Sequence, residues 1–193
     1  LLSAVCLFFL LSLGIVSRIL PIRLGFVVVV IKYAIVLSYF AWWSDGGWHI
    51  GGDDSGYFDT GRRLLEDGHN PLNVWLSPVG NYLLLGAPSA AIYHWWNMVW
   101  MYFFGQNYFA PVVANVFITF VSAYFFDRIL NRLEFSKLYR YGFAIYFLLN
   151  AKVIAWSSFL NLKEPLIVFL LLMTIYSLLR VIQKDWHFLP LVG

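Results

Sequence analysis

Two adjacent aspartates, Asp53 and Asp54, follow a pair of glycines in the most polar stretch of the chain. A carboxylate can take the proton from a hydroxyl group, and two neighbouring carboxylates offer the oxygen ligands that Mg²⁺, Mn²⁺ or Ca²⁺ prefer. Aspartates also cap helix N-termini, a role that requires no chemistry. The sequence leaves both interpretations of the acid pair open.

The residues after the acid pair predict an amphipathic helix over about 55–67. Apolar side chains recur on one face of this segment and charged side chains on the other. Asp59–Arg63 and Arg62–Glu66 have the i,i+4 spacing of helical ion pairs. This spacing favours surface ion pairing over substrate binding for the two arginines.

Three further charged residues could serve chemistry near a membrane surface. Lys152 lies about eleven residues into an apolar segment, where a charge is costly, and Lys163 and Glu164 stand directly before Pro165 at a helix start. A lysine in either place could bind an anionic group such as a phosphate. Lys163 and Glu164 could equally mark only the membrane interface. Lys32 lies in the middle of another apolar segment and needs a partner that the sequence does not identify.

The positions of the histidines, and the catalytic motifs that the sequence lacks, limit the classes of reaction that the protein could catalyse. His49 and His69 flank the acid pair and could join it around zinc, but no spacing supports a zinc motif. His94 stands among tryptophans, which favours a packing role at a membrane interface. The sequence has no glycine-rich nucleotide loop, no HExxH and no serine nucleophile elbow, so a soluble enzyme that uses a nucleotide sugar is disfavoured.

The composition indicates which elements must position these residues. Of the 193 residues, 61% are hydrophobic and 12% are charged, whereas soluble domains have about 25% charged residues. A soluble globular domain and a disordered chain are both excluded, which leaves an integral membrane protein. Cys6 is the single cysteine, so neither an intrachain disulfide nor a cysteine metal cluster can form. The net charge of +3 is typical of basic cytoplasmic loops rather than of nucleic-acid binding.

Apolar runs predict an all-α, polytopic membrane protein with about five spans in a single domain over residues 1–193. The predicted spans are 1–16, 24–43, 106–126, 141–159 and 165–182. The first is short, at about 24 Å, and the missing initial methionine predicts a clipped or processed chain, with a signal peptide as the alternative interpretation. Trp42 and Trp43 predict an aromatic belt at the end of the second span.

The basic residues predict the orientation of these spans. Eight of the 13 Lys and Arg residues fall in three connections that we expect to be cytoplasmic, and seven of the ten acids fall on the other side. This arrangement requires that 82–105 does not cross the membrane, and its tryptophans and internal proline predict a helix that lies in the interface. We expect a multi-pass protein of the plasma (inner) membrane with 44–105 extracytoplasmic.

The order of the motifs resembles that of the GT-C superfamily, membrane-embedded glycosyltransferases that use polyprenyl-phosphate sugars as donors. In that family the first extracytoplasmic loop carries an acidic pair, then Tyr, Leu-Leu, Gly and Pro, and 53–71 has the same order. Residues 93–107 resemble the juxtamembrane helix and Phe-Gly turn that follow, and 161–166 resemble a later outer loop with a charged pair. The layout is most similar to mannosyl- and aminoarabinose-transferases, over about 24–182.

The resemblance implies transfer of a sugar from the lipid phosphate to an acceptor on the extracytoplasmic side. Asp53 would be the base that takes the acceptor proton, and Asp54 would orient the acceptor or help to hold a divalent cation. The candidate substrate-binding residues are Tyr57, Arg62, Arg63, Lys152, Lys163 and Glu164. The implied partners are membrane lipid, a polyprenyl-phosphate sugar donor and an acceptor, whereas nucleic acid is not expected.

Such enzymes usually have eleven or more spans, so the resemblance implies that this chain is an N-terminal module, a fragment, or a short relative that works with a protein partner or has lost catalysis. Two other functions stay open. A polysaccharide polymerase or ligase that uses polyprenyl-diphosphate substrates would rely on Arg62 and Arg63 rather than on Asp53. A non-catalytic accessory subunit would pack against a larger membrane complex through its tryptophan- and tyrosine-rich faces.

Overall fold

The structure is a computed structural model that describes residues 2–42, 53–78, 80–81 and 90–183, with the backbone alone at 53 and 54. Within these ranges the regular structure is helical and contains no strand, which confirms the predicted all-α class. The predicted belt residue Trp43, the histidine His49 and the proline-containing first part of the 82–105 segment lie outside the described residues.

The described helices follow one another along the chain and are numbered here in that order. They are α1 (Leu2–Val16), α2 (Ile22–Trp42), α3 (Asp53–Glu66), α4 (Ala91–Phe104), α5 (Phe109–Arg132), α6 (Lys137–Leu149), α7 (Ala151–Ile154) and α8 (Glu164–Ile182). A 3₁₀ turn at Val74–Leu76 follows α3, and a π turn at Ala155–Phe159 continues α7.

Three helices are long and apolar enough to cross a membrane: α2, α5 and α8, with 21, 24 and 19 residues. The α6–α7 pair, which is bent by 48°, adds a fourth if it is counted as one span. With 15 residues, α1 is shorter than the core of a bilayer. The described residues therefore give three or four candidate spans, as expected for a membrane protein, and the count of five stays a prediction.

The helix α5 differs from the predicted span 106–126 at both ends. Residues 106–108 form the turn before the helix, and the helix continues to Arg132 although it contains Asp127. The two carboxylate oxygens of Asp127 accept hydrogen bonds from Arg140 on α6, each at 2.8 Å. This paired geometry compensates the buried charge, so the helix can extend past it.

The helix α5 forms the centre of the fold. In its most apolar stretch 67% of the residues are buried, against 11% in α8. The helices α1, α4, α6 and α8 all pack against α5, and its small buried residues Ala110, Ala114 and Ala123 allow close approach. In contrast, α8 presents most of its surface outward.

The predicted amphipathic helix is present as α3 and begins two residues earlier than expected. The acid pair therefore stands in its first turn, where the helix dipole favours negative charge. Its last residues are followed by Gly68 at a φ of 81°, as expected for a glycine that ends a helix. Arg62 pairs with Asp59 at 3.3 Å and with Glu66 at 3.6 Å, which are surface ion pairs.

Candidate functional site

A close helix crossing determines where the start of α3 lies. A Cβ atom at Gly61 would stand 2.7 Å from Cε of Met101 and 3.1 Å from the backbone nitrogen of Met98, both on α4. The backbones of the two helices are therefore in direct contact at this glycine, and Leu64 is fully buried beside Met98. Because the contact fixes α3 against α4, it also fixes the direction in which the first turn of α3 projects.

Tyr57 is the point at which α3, α4 and the loop before α8 meet. Its ring packs edge-on against the ring of Tyr93, with centroids 5.0 Å apart, and lies 5.6 Å from the His94 ring. Nζ of Lys163 stands 5.8 Å from the centre of the Tyr57 ring, in a cation–π contact. A buried tyrosine thus joins a histidine and a lysine from two other segments.

Beneath Tyr57 lies a buried group of side chains that we call the amide network: Tyr93, Asn97, Asn115 and Asn161. The hydroxyl of Tyr93 donates to Oδ1 of Asn161 at 2.7 Å and accepts from Nδ2 of Asn115 at 2.6 Å. Nδ2 of Asn161 donates to Oδ1 of Asn97. These bonds connect α4, α5 and the loop before α8 through polar groups alone.

Further bonds complete the amide network. Nε1 of Trp96 donates to Oδ1 of Asn115 at 3.1 Å, and the backbone N–H of Asn161 donates to the hydroxyl of Tyr108 at 3.0 Å. Burial raises the pKa of Tyr93 well above its usual range, so the phenol stays protonated and can donate. Because the polar groups of the amide network are hydrogen-bonded to one another, the network is expected to be rigid and to fix the position of the loop before α8.

Two polar groups next to the network are buried without a hydrogen-bond partner among the described residues: Nδ1 of His94 and Oε2 of Glu164. Burial, and to a lesser degree the charge of Lys163, lowers the pKa of His94, so the imidazole is neutral at pH 7. Buried polar atoms are usually satisfied. These two are therefore the described atoms at this site that are best suited to bind a ligand.

The structure brings together three of the predicted site residues, Tyr57, Lys163 and Glu164, at the start of α8 and the first half of α3. Residue 53 begins α3 one helical turn before Tyr57, about 6 Å along the helix axis. The side chains of Asp53 and Asp54 lie outside the described part of the chain.

The other predicted ligands lie elsewhere. Arg62 forms its ion pairs on the exposed face of α3, and Arg63 is exposed. Lys152 is exposed on α7, eleven residues before Lys163 along the chain. The packing role expected for His94 is present, since its ring contacts Tyr57, and its Nδ1 is buried without a hydrogen-bond partner among the described residues.

Sequence reasoning missed the three asparagines of the amide network. A signal for them exists, because an asparagine in an apolar run is costly unless a partner satisfies it. Asn115 falls inside a predicted span, and Asn97 and Asn161 stand among apolar and aromatic residues. Asn161 pairs with Asn97, 64 positions away, and with Tyr93, 68 positions away. No local pattern reveals contacts over such separations.

The described residues contain no group of three or more His, Cys, Asp or Glu side chains that could hold a metal ion. The acid pair predicted to bind a divalent cation has its side chains outside this set, so the cation stays a prediction. The sequence matches no protein-family model, and neither curated proteins nor solved structures gave a match. What the protein does must therefore be inferred from the arrangement of its own residues.

Proposed function

We propose that the protein is a membrane glycosyltransferase of the GT-C type, or the N-terminal module of one, that transfers a sugar from a polyprenyl-phosphate donor to an acceptor. One observation carries this proposal. The three segments that resemble the family, 53–71, 93–107 and 161–166, are far apart in sequence, yet Tyr57 of the first contacts His94 of the second and Lys163 of the third. Short motifs that match by chance have no reason to meet in space.

The reaction needs a base and a stabilised leaving group. Asp53 takes the hydroxyl proton of the acceptor while the acceptor oxygen bonds to the anomeric carbon, and the bond from that carbon to the phosphate oxygen breaks. Polyprenyl phosphate leaves with the bonding electrons. Lys163 stabilises its negative charge, and the start of α8 adds the favourable end of a helix dipole.

Asp54 and His94 serve orientation in this proposal. Asp54 accepts a hydrogen bond from the acceptor, and the neutral His94 offers its free Nδ1 to a sugar hydroxyl. A divalent cation would be held by Asp53 and Asp54 and would neutralise charge at the lipid phosphate. None of the steps assigned to the protein's side chains depends on that cation.

The proposed placement in the plasma (inner) membrane has five crossings, with 44–105 on the extracytoplasmic side. The composition of α4 supports this arrangement. Its sequence contains no charge and three tryptophans, as in helices that lie in the interface. The site around Tyr57 then stands at the membrane surface, where a lipid phosphate is found.

The test uses the full chain reconstituted in lipid vesicles with polyprenyl-phosphate mannose or polyprenyl-phosphate aminoarabinose, and a membrane extract as the source of acceptor. Release of polyprenyl phosphate is measured by chromatography. We expect Asp53→Asn to reduce release by about 100-fold or more while expression and folding stay normal. The matched control is Asp59→Asn, an acid of the same helix that pairs with Arg62 at the surface, which should change release less than about twofold.

The outcome separates the three functions that the sequence leaves open. Undiminished release by Asp53→Asn would exclude the assigned base. Release of polyprenyl diphosphate from a diphosphate-linked donor, with loss of that release in Arg62→Lys and Arg63→Lys, would favour the polymerase or ligase, although the ion pairs of Arg62 already engage that side chain. Absence of release by the unaltered chain with all of these donors would favour the accessory subunit.

A further inference from the structure

Lys32 is a fully buried lysine in the middle of α2. Its Nζ donates to Oγ1 of Thr119 on α5 at 2.7 Å and to the carbonyl of Leu148 on α6 at 3.3 Å. No described carboxylate pairs with it, and the ring of Phe120 lies 5.7 Å away. A charge at this depth is costly in a membrane, so its neighbours must make up for lost water.

The carbonyl of Leu148 is available because α6 ends one residue later, at Leu149. Asn150 adopts an extended conformation, with φ −61° and ψ 132°, between α6 and α7. Its Oδ1 accepts the N–H of Lys152 at 3.0 Å, a donor that would bond to Leu148 in a continuous helix. The break therefore leaves the Leu148 carbonyl without a helical partner, inside a segment that could span the membrane.

We propose that Lys32 is a built-in cap for this break, which holds α6 and α7 at their 48° bend and so determines where the loop before α8 lies. A lysine at the C-terminal end of a helix bonds the last carbonyls and meets the negative end of the dipole. Each of the two costly groups, a buried ammonium and an unpaired carbonyl, satisfies the other. Thr119 completes the arrangement, since its hydroxyl also donates to the Val116 carbonyl at 2.7 Å.

The cap acts on the loop through a short, continuous path. From Asn150 the chain runs through α7 and the π turn, in which Oγ of Ser157 donates to the Val153 carbonyl at 2.6 Å. It then reaches Asn161, which is fully buried in the amide network. The direction of α7 therefore sets the position of Asn161, and the inference holds whether or not the protein transfers sugars.

Hydrogen exchange measured by mass spectrometry on the full chain in detergent tests the proposal. Lys32→Met removes the donor and keeps the length of the side chain. We expect the amides of 150–162 to exchange at least about tenfold faster, because one buried carbonyl loses its partner. The matched control is Lys152→Met, a lysine at the same break whose side chain is exposed, and its exchange should match that of the unaltered chain.

Unchanged exchange in Lys32→Met, or equally fast exchange in Lys152→Met, would overturn the proposal. If Lys32→Met does not fold, the measurement is made on Lys32→Ala with added propylammonium. That ion supplies the three carbons and the ammonium group that the alanine lacks. Recovery of folded, protected protein with propylammonium but not with tetramethylammonium, which has no N–H, would support the cap. Failure of propylammonium to restore protection would contradict it.

Discussion

Asn161 illustrates how a single amide connects three parts of the molecule. Its side chain accepts from the Tyr93 hydroxyl and donates to Asn97, and its backbone N–H donates to the Tyr108 hydroxyl. It has no exposed surface. Removing the amide would leave buried groups on Tyr93 and Asn97 without partners, which is more damaging than the loss of the bonds themselves.

We expect Asn161→Leu to lower the free energy of unfolding by about 2–4 kcal/mol, because two buried polar groups lose their partner. Thermal unfolding in detergent measures the effect. The control is Gln106→Leu, the same kind of change at an exposed position, which should alter the unfolding temperature little. Equal unfolding temperatures for the two variants would show that the amide network contributes nothing to stability.

The burial of His94 should make the stability of the folded protein depend on pH. Its pKa in the folded protein is lowered by burial and by Lys163, so the unfolded chain binds the proton more readily. Stability from this group is present above the unfolded pKa of about 6.5 and is lost as the pH falls below it. Unfolding temperatures measured from pH 8 to pH 5 should fall more steeply for the unaltered chain than for His94→Gln.

A second variant checks the assigned cause of that pH dependence. Lys163→Met removes the positive charge, so the pKa of His94 should rise towards its usual value and the loss of stability at low pH should shrink. A pH profile that is identical in the unaltered chain, His94→Gln and Lys163→Met would show that another group is responsible.

Among the helices, α3 could be predicted from the sequence because its cause is local: alternating apolar and charged faces, and a glycine at its end. The helices α2 and α8 could also be predicted, because each is a long apolar run of consecutive residues. The break between α6 and α7 could not be predicted, because the residue that satisfies it, Lys32, is 116 positions from Leu148. Local pattern alone gives a continuous span there.

The crossing of α3 and α4 gives a prediction with an internal control. Gly61→Ala places a methyl group 3.1 Å from both Cβ of Asn97 and the backbone nitrogen of Met98, which cannot move aside as the end of the Met101 side chain can, so we expect a small shift of the two helices and a loss of about 1–3 kcal/mol in stability. Gly56→Ala, in the same helix with nothing within 4 Å, should be neutral or stabilise by up to about 1 kcal/mol. Thermal unfolding of both variants measures the difference.

The same pair tests whether the crossing serves the site. Since Gly61 fixes the direction of α3, Gly61→Ala should also lower the release of polyprenyl phosphate, whereas Gly56→Ala should not. Release that persists in a destabilised Gly61→Ala variant would mean that the site tolerates displacement of α3.

For the whole molecule, the charge pattern and the helix lengths together predict the sidedness of the chain. In a Cys6→Ala background, cysteines introduced at Arg62 and at Arg132 should react with a membrane-impermeant maleimide from opposite sides of sealed vesicles. Arg62 is partly exposed on α3, and Arg132 ends α5. Labelling of both from one side would contradict the five-crossing arrangement.

The outward surface of α8 has a consequence for the proposed site. The helix has 19 residues, about 28 Å, and its most apolar stretch is only 11% buried, yet its first residues carry Glu164 and follow Lys163. One face of α8 packs against α5, and the amide network holds the loop before its first residue, so a change in bilayer thickness would be taken up at the far end of the helix. Lys163 and Glu164 would then keep their positions in host membranes of different thickness.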